Sequence, residues 1–168
     1  MLVEAVRRGR REEFAAFGWQ AEPPDPQDET TFLCAKLNHQ LRAEGRFHML
    51  LQFYRELIRL RKELAPLARL SKEDCQVTGF ENERVLLLNR RSVDEQVAST
   101  FNFNHFPAAI ALPLSEGRWN KVLDSTDVRW QGIGSRLPAT IEAQGTPSLT
   151  LPPDSVAVFT RSASESAN

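Results

Sequence analysis

The chain has 168 residues, 41% of them hydrophobic and 26% charged, with a net charge of −1 at pH 7. That length holds one ordinary domain, or a small domain with a helical appendage, and excludes a complete eight-fold β/α barrel, which needs about 250 residues. The near-neutral charge excludes bulk attraction to nucleic acid or to an anionic membrane, and no apolar run approaches the ~20 residues of a membrane span.

Helical spacing opens the chain. Over 2–17, Val3, Val6, Phe14 and Phe17 fall on one side of a helix, with Arg7, Arg8, Arg10 and Arg11 largely on the others. Gly9 weakens this helix by up to ~1 kcal/mol relative to alanine, so it needs a surface to pack on. Gly18 is placed to end it. The arginine cluster is interleaved with Glu4, Glu12 and Glu13, which reads as a solvated, salt-bridged face rather than a phosphate-binding patch.

The segment 21–28 carries Pro23, Pro24 and Pro26, whose fixed φ prevents a helix and predicts an extended loop. Asp28 or Thr30 then caps a short second helix through Phe32, Ala35 and Leu37. Asp25, Asp28 and Glu29 lack the alternating spacing and central glycine of a calcium loop, so capping and turn formation explain them.

A third helix is predicted over 46–64, where Phe47, Leu50, Leu51, Tyr54, Leu57, Ile58 and Leu64 form a wide apolar stripe. Such a stripe has to be buried against another surface. Near Pro66 the pattern changes from helical spacing to short alternating runs. Seven strands are predicted, over 75–78, 84–89, 96–104, 109–114, 120–124, 148–151 and 155–161, with turn residues between them. The reading is α+β: a helical segment over 1–66, an antiparallel all-β sandwich over 72–161, and a small, polar, disordered tail over 162–168.

Few residues invite chemistry. Cys34 and Cys75 have no partner at metal or disulfide spacing, and the first eleven residues lack the apolar stretch of a signal peptide, which together predict a cytoplasmic protein with reduced thiols. His39, His48 and His105 are too scattered for a triad or a metal cluster. Phe101 and Phe103 alternate on one face of a strand and are assigned to the core. Trp119 and Trp130 lie near turns, where an aromatic face can stack on sugar, although packing in or at the rim of the sandwich explains them too. Trp19, just after Gly18, is the better candidate for a groove residue. No phosphate loop, nucleophile elbow or serine–histidine–aspartate order is present, so no catalytic residue, metal ligand or cofactor site is assigned in this chain.

Two blocks carry a resemblance. The first is Val6-Arg7-Arg8-Gly9-Arg10-Arg11-Glu12-Glu13-Phe14-Ala15-Ala16-Phe17, then Pro24-Asp25-Pro26-Gln27-Asp28, Thr31-Phe32 and Ala35-Lys36-Leu37-Asn38. It resembles the segment after the last barrel strand of malto-oligosyltrehalose trehalohydrolases, glycoside hydrolases of the α-amylase superfamily that release trehalose from maltooligosyl-trehalose. The second block is Trp119-Asn120-Lys121-Val122-Leu123-Asp124-Ser125, with Arg129-Trp130 and Leu151-Pro152-Pro153-Asp154-Ser155-Val156-Ala157-Val158-Phe159. It looks like the C-terminal β-domain of the same enzymes, and its ending is shared by many α-amylase relatives.

The resemblance implies that the helical segment is the end of a β/α barrel and that the catalytic carboxylates lie on barrel strands preceding Met1. It implies a missing catalytic barrel, upstream in the same polypeptide, as the partner, with maltooligosyl-trehalose or another α-glucan as the ligand. On this reading Met1 is an internal methionine and the chain is inactive alone. Two other readings stay open: a free-standing α-glucan-binding module, and the tail of a related α-amylase or glucan-branching enzyme.

Overall fold

The computed structural model describes residues 2–69 and 71–162. Helix α1 spans Leu2–Ala16 and α2 spans Glu29–Ala35; a 3₁₀ turn, His39–Ala43, follows. Helix α3 is Gly45–Glu63 and the short α4 is Ala65–Ala68. Eight strands come next: β1 Cys75–Phe80, β2 Val85–Arg91, β3 Glu95–Asn102, β4 Ala108–Ala111, β5 Gly117–Asp124, β6 Thr140–Ala143, β7 Ser148–Leu151 and β8 Ser155–Ser162. The chain divides into two compact units, with the boundary between Leu41 and Arg42.

In the first unit, α1 ends as its glycine dictates. Gly18 takes φ +74°, and its N–H donates to the Ala15 carbonyl at 3.0 Å. The proline loop is pinned to α1 by Arg7, whose Nε and Nη2 donate to Asp25 Oδ2 at 2.8 and 2.7 Å. That pair holds the Asp25 carboxyl below its ordinary range. Asp28 caps α2 by accepting from the Thr30 N–H at 2.8 Å. Neither α1 nor α2 contains a buried residue.

The second unit is built on a six-stranded antiparallel sheet in the order β1-β2-β3-β8-β5-β6, with a two-stranded antiparallel sheet, β4-β7, covering one face. This is the helical segment and antiparallel sandwich that the sequence predicts. The main core lies between the sheets, where Val85, Leu87, Ala98, Trp119 and Phe159 meet Ala108, Ile110, Leu149 and Leu151. On the opposite face Leu60 of α3 packs on Val97, Leu123 and Val158.

One irregularity makes this two-sided arrangement possible. Trp119 and Leu123 are four residues apart and would share a face in a regular strand. The register shift between Lys121 and Leu123 inserts an extra residue, which sends Leu123 to the helix side while Trp119 stays between the sheets.

Three local expectations are corrected. Strand β6 was not foreseen, since Thr140-Ile141-Glu142-Ala143 is a short alternation in a turn-rich stretch. Helix α3 ends at Glu63, ahead of Pro66 as expected, but a further short helix, α4, follows, with Pro66 in its first turn, where a missing N–H costs nothing. Phe101 and Phe103 stack on each other, 6.3 Å apart and 8° from parallel, yet Phe103 is 63% exposed because β3 ends at Asn102. The predicted tail begins at Ser162, which closes β8; 163–168 lie outside the described residues.

Candidate functional site

The three tryptophans singled out from sequence occupy different environments. Trp119 is 1% exposed, enclosed between the sheets, and its indole N–H donates to the Ser115 carbonyl at 2.9 Å. It therefore offers no face to a sugar ring. Trp130 is half-buried in a 3₁₀ turn, Val128–Trp130; its edge meets Phe53 of α3 at 5.2 Å, and the Arg129 guanidinium lies over its ring at 4.6 Å. One ring face is thus already occupied. Trp19, in the first unit, is 56% exposed and packs edge-on against Phe14 at 6.0 Å.

The second unit also holds a polar lock that sequence reasoning missed. Asp124, at the end of β5, is 2% exposed. Its Oδ1 accepts from the N–H and hydroxyl of Thr126 at 2.9 and 2.7 Å, and its Oδ2 accepts from the Ser135 hydroxyl at 2.5 Å. Lys121 Nζ lies 3.5 Å from Oδ2 and donates to Ser135 Oγ and to the Leu137 carbonyl. Burial alone would raise the Asp124 carboxyl, but the hydrogen bonds from Ser135 and Thr126, with the charge of Lys121, hold it below its ordinary value. The lock fixes the loop that carries Trp130. A Lys-x-x-Asp spacing at a strand end was its sequence signal, too common to single out.

Other carboxylates serve as local acceptors. Asp127 caps the turn at Trp130, and Asp154 Oδ2 lies 2.9 Å from His105 Nδ1 on the surface. His48 Nδ1 lies 3.0 Å from the Arg42 carbonyl. Among the described residues no three His, Cys, Asp or Glu side chains are grouped to hold a metal ion, and no helix is long and apolar enough to cross a membrane. The Asp124 group holds the loop after β5 against the end of that strand.

No protein-family model matches the chain. Its sequence is 36% identical over 140 residues to a malto-oligosyltrehalose trehalohydrolase of Rhizobium sp. (strain M-11), covering 82% of this chain and 22% of that protein. It is 40% identical over 90 residues to a malto-oligosyltrehalose trehalohydrolase of Mycobacterium tuberculosis (strain CDC 1551 / Oshkosh), covering 53% of this chain and 16% of that protein. The chain thus spans less than a quarter of the length of the curated relatives it matches, as a C-terminal part would. A crystal structure of a putative α-amylase from Salmonella typhimurium shares the fold, with a TM-score of 0.65 and 22% identity over 95% of this chain and 24% of that one.

Proposed function

We propose that this chain works as the C-terminal part of a glycoside hydrolase of the malto-oligosyltrehalose trehalohydrolase kind, releasing trehalose from maltooligosyl-trehalose, and that its own contribution is structural. One observation carries the reading: the 36% identity extends over 140 residues, across both units, yet more than three quarters of that relative lies outside the match. In such an enzyme the partner of this chain is a catalytic barrel in the same polypeptide, and the ligand reaches the chain only at the rim of a groove.

The surface supports a partner of that size. Phe47, Leu50, Tyr54 and Ile58 of α3 are exposed, as are Phe17, Phe32 and Leu37 in the first unit. Apolar groups at helical spacing mark faces made to be covered. Hydrolysis with retention needs two carboxylates about 5–5.5 Å apart across one glycosidic bond. Here Asp25, Asp28, Asp124 and Asp127 are instead engaged in ion pairs, caps and the β5 lock. We assign Trp19, with the proline loop beside it, to the rim of the substrate groove. The free thiols Cys34 and Cys75 fit a reducing cytoplasm.

The test is an extract of the source cells probed, on a denaturing gel, with an antibody raised against this chain. The expected band is several times heavier than 19.0 kDa, and that larger protein, unlike the isolated chain, releases trehalose from maltooligosyl-trehalose. A lone band at 19.0 kDa, or turnover by the purified chain, overturns the proposal.

A further inference from the structure

A polar cleft of about 240 Å³ opens where β1, β2 and β3 meet the segment 113–115, lined by Asp74, Gln76, Asn89, Arg91, Gln96 and Ser115. The strand register explains why polar groups converge there. Gln76 lies opposite Asn89, and Arg91 opposite Gln96. Asn89 and Arg91 continue the strand face that begins with Val85 and Leu87, since alternate residues share a face. Val85 and Leu87 are closed over by the small sheet. At Asn89 the same face turns polar and opens.

Arg90, whose Nη2 donates to the Ser71 carbonyl at 3.2 Å, keeps a buried Nε donor without a partner among the described residues, and Asn89 presents the matching buried acceptor. The Oδ1 of Asn89 is sealed from solvent and accepts no hydrogen bond from the described residues. A buried acceptor without a donor is disfavoured, and a group left in that condition calls for an explanation. Rotation about χ2 of asparagine is soft, so this oxygen can turn toward a donor placed in the cleft. Arg91 and Trp119 are less available. Arg91 Nε donates to Asp74 Oδ1 at 3.2 Å, and the Trp119 indole N–H is engaged by Ser115.

Charge and size narrow the ligand. Two acidic residues, Glu73 and Asp74, and two basic residues, Arg90 and Arg91, line the cleft, leaving no net charge to select an ion. An apolar ligand would strip water from the amides of Gln76 and Gln96 and leave Asn89 Oδ1 without a donor. A hydroxyl both donates and accepts, as the amides of Gln76, Asn89 and Gln96 require. The volume lies below the ~300–1,000 Å³ of pockets for drug-sized ligands, which suits one ring rather than a chain.

We infer that this cleft binds a neutral polyhydroxylated ring, a single sugar unit, through the amides of Gln76, Asn89 and Gln96. The site is independent of the enzyme proposed above; Trp119 lines it but, at 1% exposure, offers no stacking face. Binding is millimolar, because hydrogen bonds exchanged with water leave a small net gain and no aromatic platform adds to it.

Chemical-shift mapping on the full chain with glucose tests it. Saturable shifts are expected at the backbone amides around Gln76, Asn89 and Gln96. Asn89→Leu, which removes the acceptor and keeps the volume, should weaken binding by about tenfold or more. If Asn89→Leu fails to fold, Gln96→Ala is expected to give the same loss. The inference is overturned by an absence of saturable shifts at these residues, by undiminished affinity in the folded variants, or by inorganic phosphate titrating the cleft in place of glucose.

Discussion

Asp124 shows how a single buried carboxylate organises a loop. It joins Thr126, Ser135 and Lys121, and the loop between them brings Gly132 so close to Thr126 that a Cβ would sit 2.3 Å from its carbonyl oxygen. The folded-state pKa of Asp124 is depressed, so its contribution to stability is complete above the unfolded value of about 3.9 and is lost as pH falls through the folded value. Denaturant midpoints measured against pH should therefore drop in the acid range below pH ~4, and Asp124→Asn should flatten that drop. An identical profile in wild type and Asp124→Asn would refute the assignment. At pH ~7, Asp124→Ala removes the carboxylate that faces Lys121 and accepts from Thr126 and Ser135, and should cost about 3 kcal/mol. Gly132→Ala forces the turn to move and should cost about 1–3 kcal/mol in urea titrations, with a change in Trp130 fluorescence.

At the scale of elements, α3 carries two apolar stripes. Phe53, Leu57 and Leu60, with Leu64 just past the helix end, face the sheet, while Phe47, Leu50, Tyr54 and Ile58 remain exposed. Helical spacing found the helix but merged the stripes and left out Phe53 and Leu60, because periodicity shows that a helix has an apolar side and not which neighbour selects it. The consequence is measurable by chemical denaturation. Leu60→Ala should cost about 2–5 kcal/mol, and Ile58→Ala, at 50% exposure, should stay within ~0.5 kcal/mol. Helix α4 shows a second kind of dependence. Its N-cap, Leu64, has no side-chain acceptor, and Glu95 of β3 takes the Ala65 N–H at 3.1 Å instead. Glu95→Ala should lower stability by about 1 kcal/mol, the usual worth of an N-cap.

At the scale of the whole molecule, the exposed apolar groups govern solution behaviour. Leu2, Phe17 and Leu37 are each about 80% exposed, alongside the outer stripe of α3. The isolated chain should therefore bind a hydrophobic dye and associate with itself as concentration rises. A monodisperse monomer by light scattering at high concentration, without dye binding, would contradict this. Replacing Leu50 and Ile58 together by glutamate should suppress association while leaving the sheet-facing contacts of Leu57 and Leu60 intact.

By itself the sequence determined most of the local elements and their order, though not α4 or β6. Prolines, caps and glycines act within a few residues, so the end of α1 at Gly18, the Asp28 cap and the alternation of β7 and β8 were legible. The tertiary structure decided which faces are covered. A bulge in β5 puts Trp119 and Leu123 on opposite sides, a fact that alternation alone reads the other way. The fold also buried Trp119 to 1% exposure, set Trp130 against Phe53, and left the amide cleft at Asn89 open where the small sheet stops covering the large one. Burial belongs to pairs of surfaces brought together by the fold, and one strand or helix contains only half of each pair.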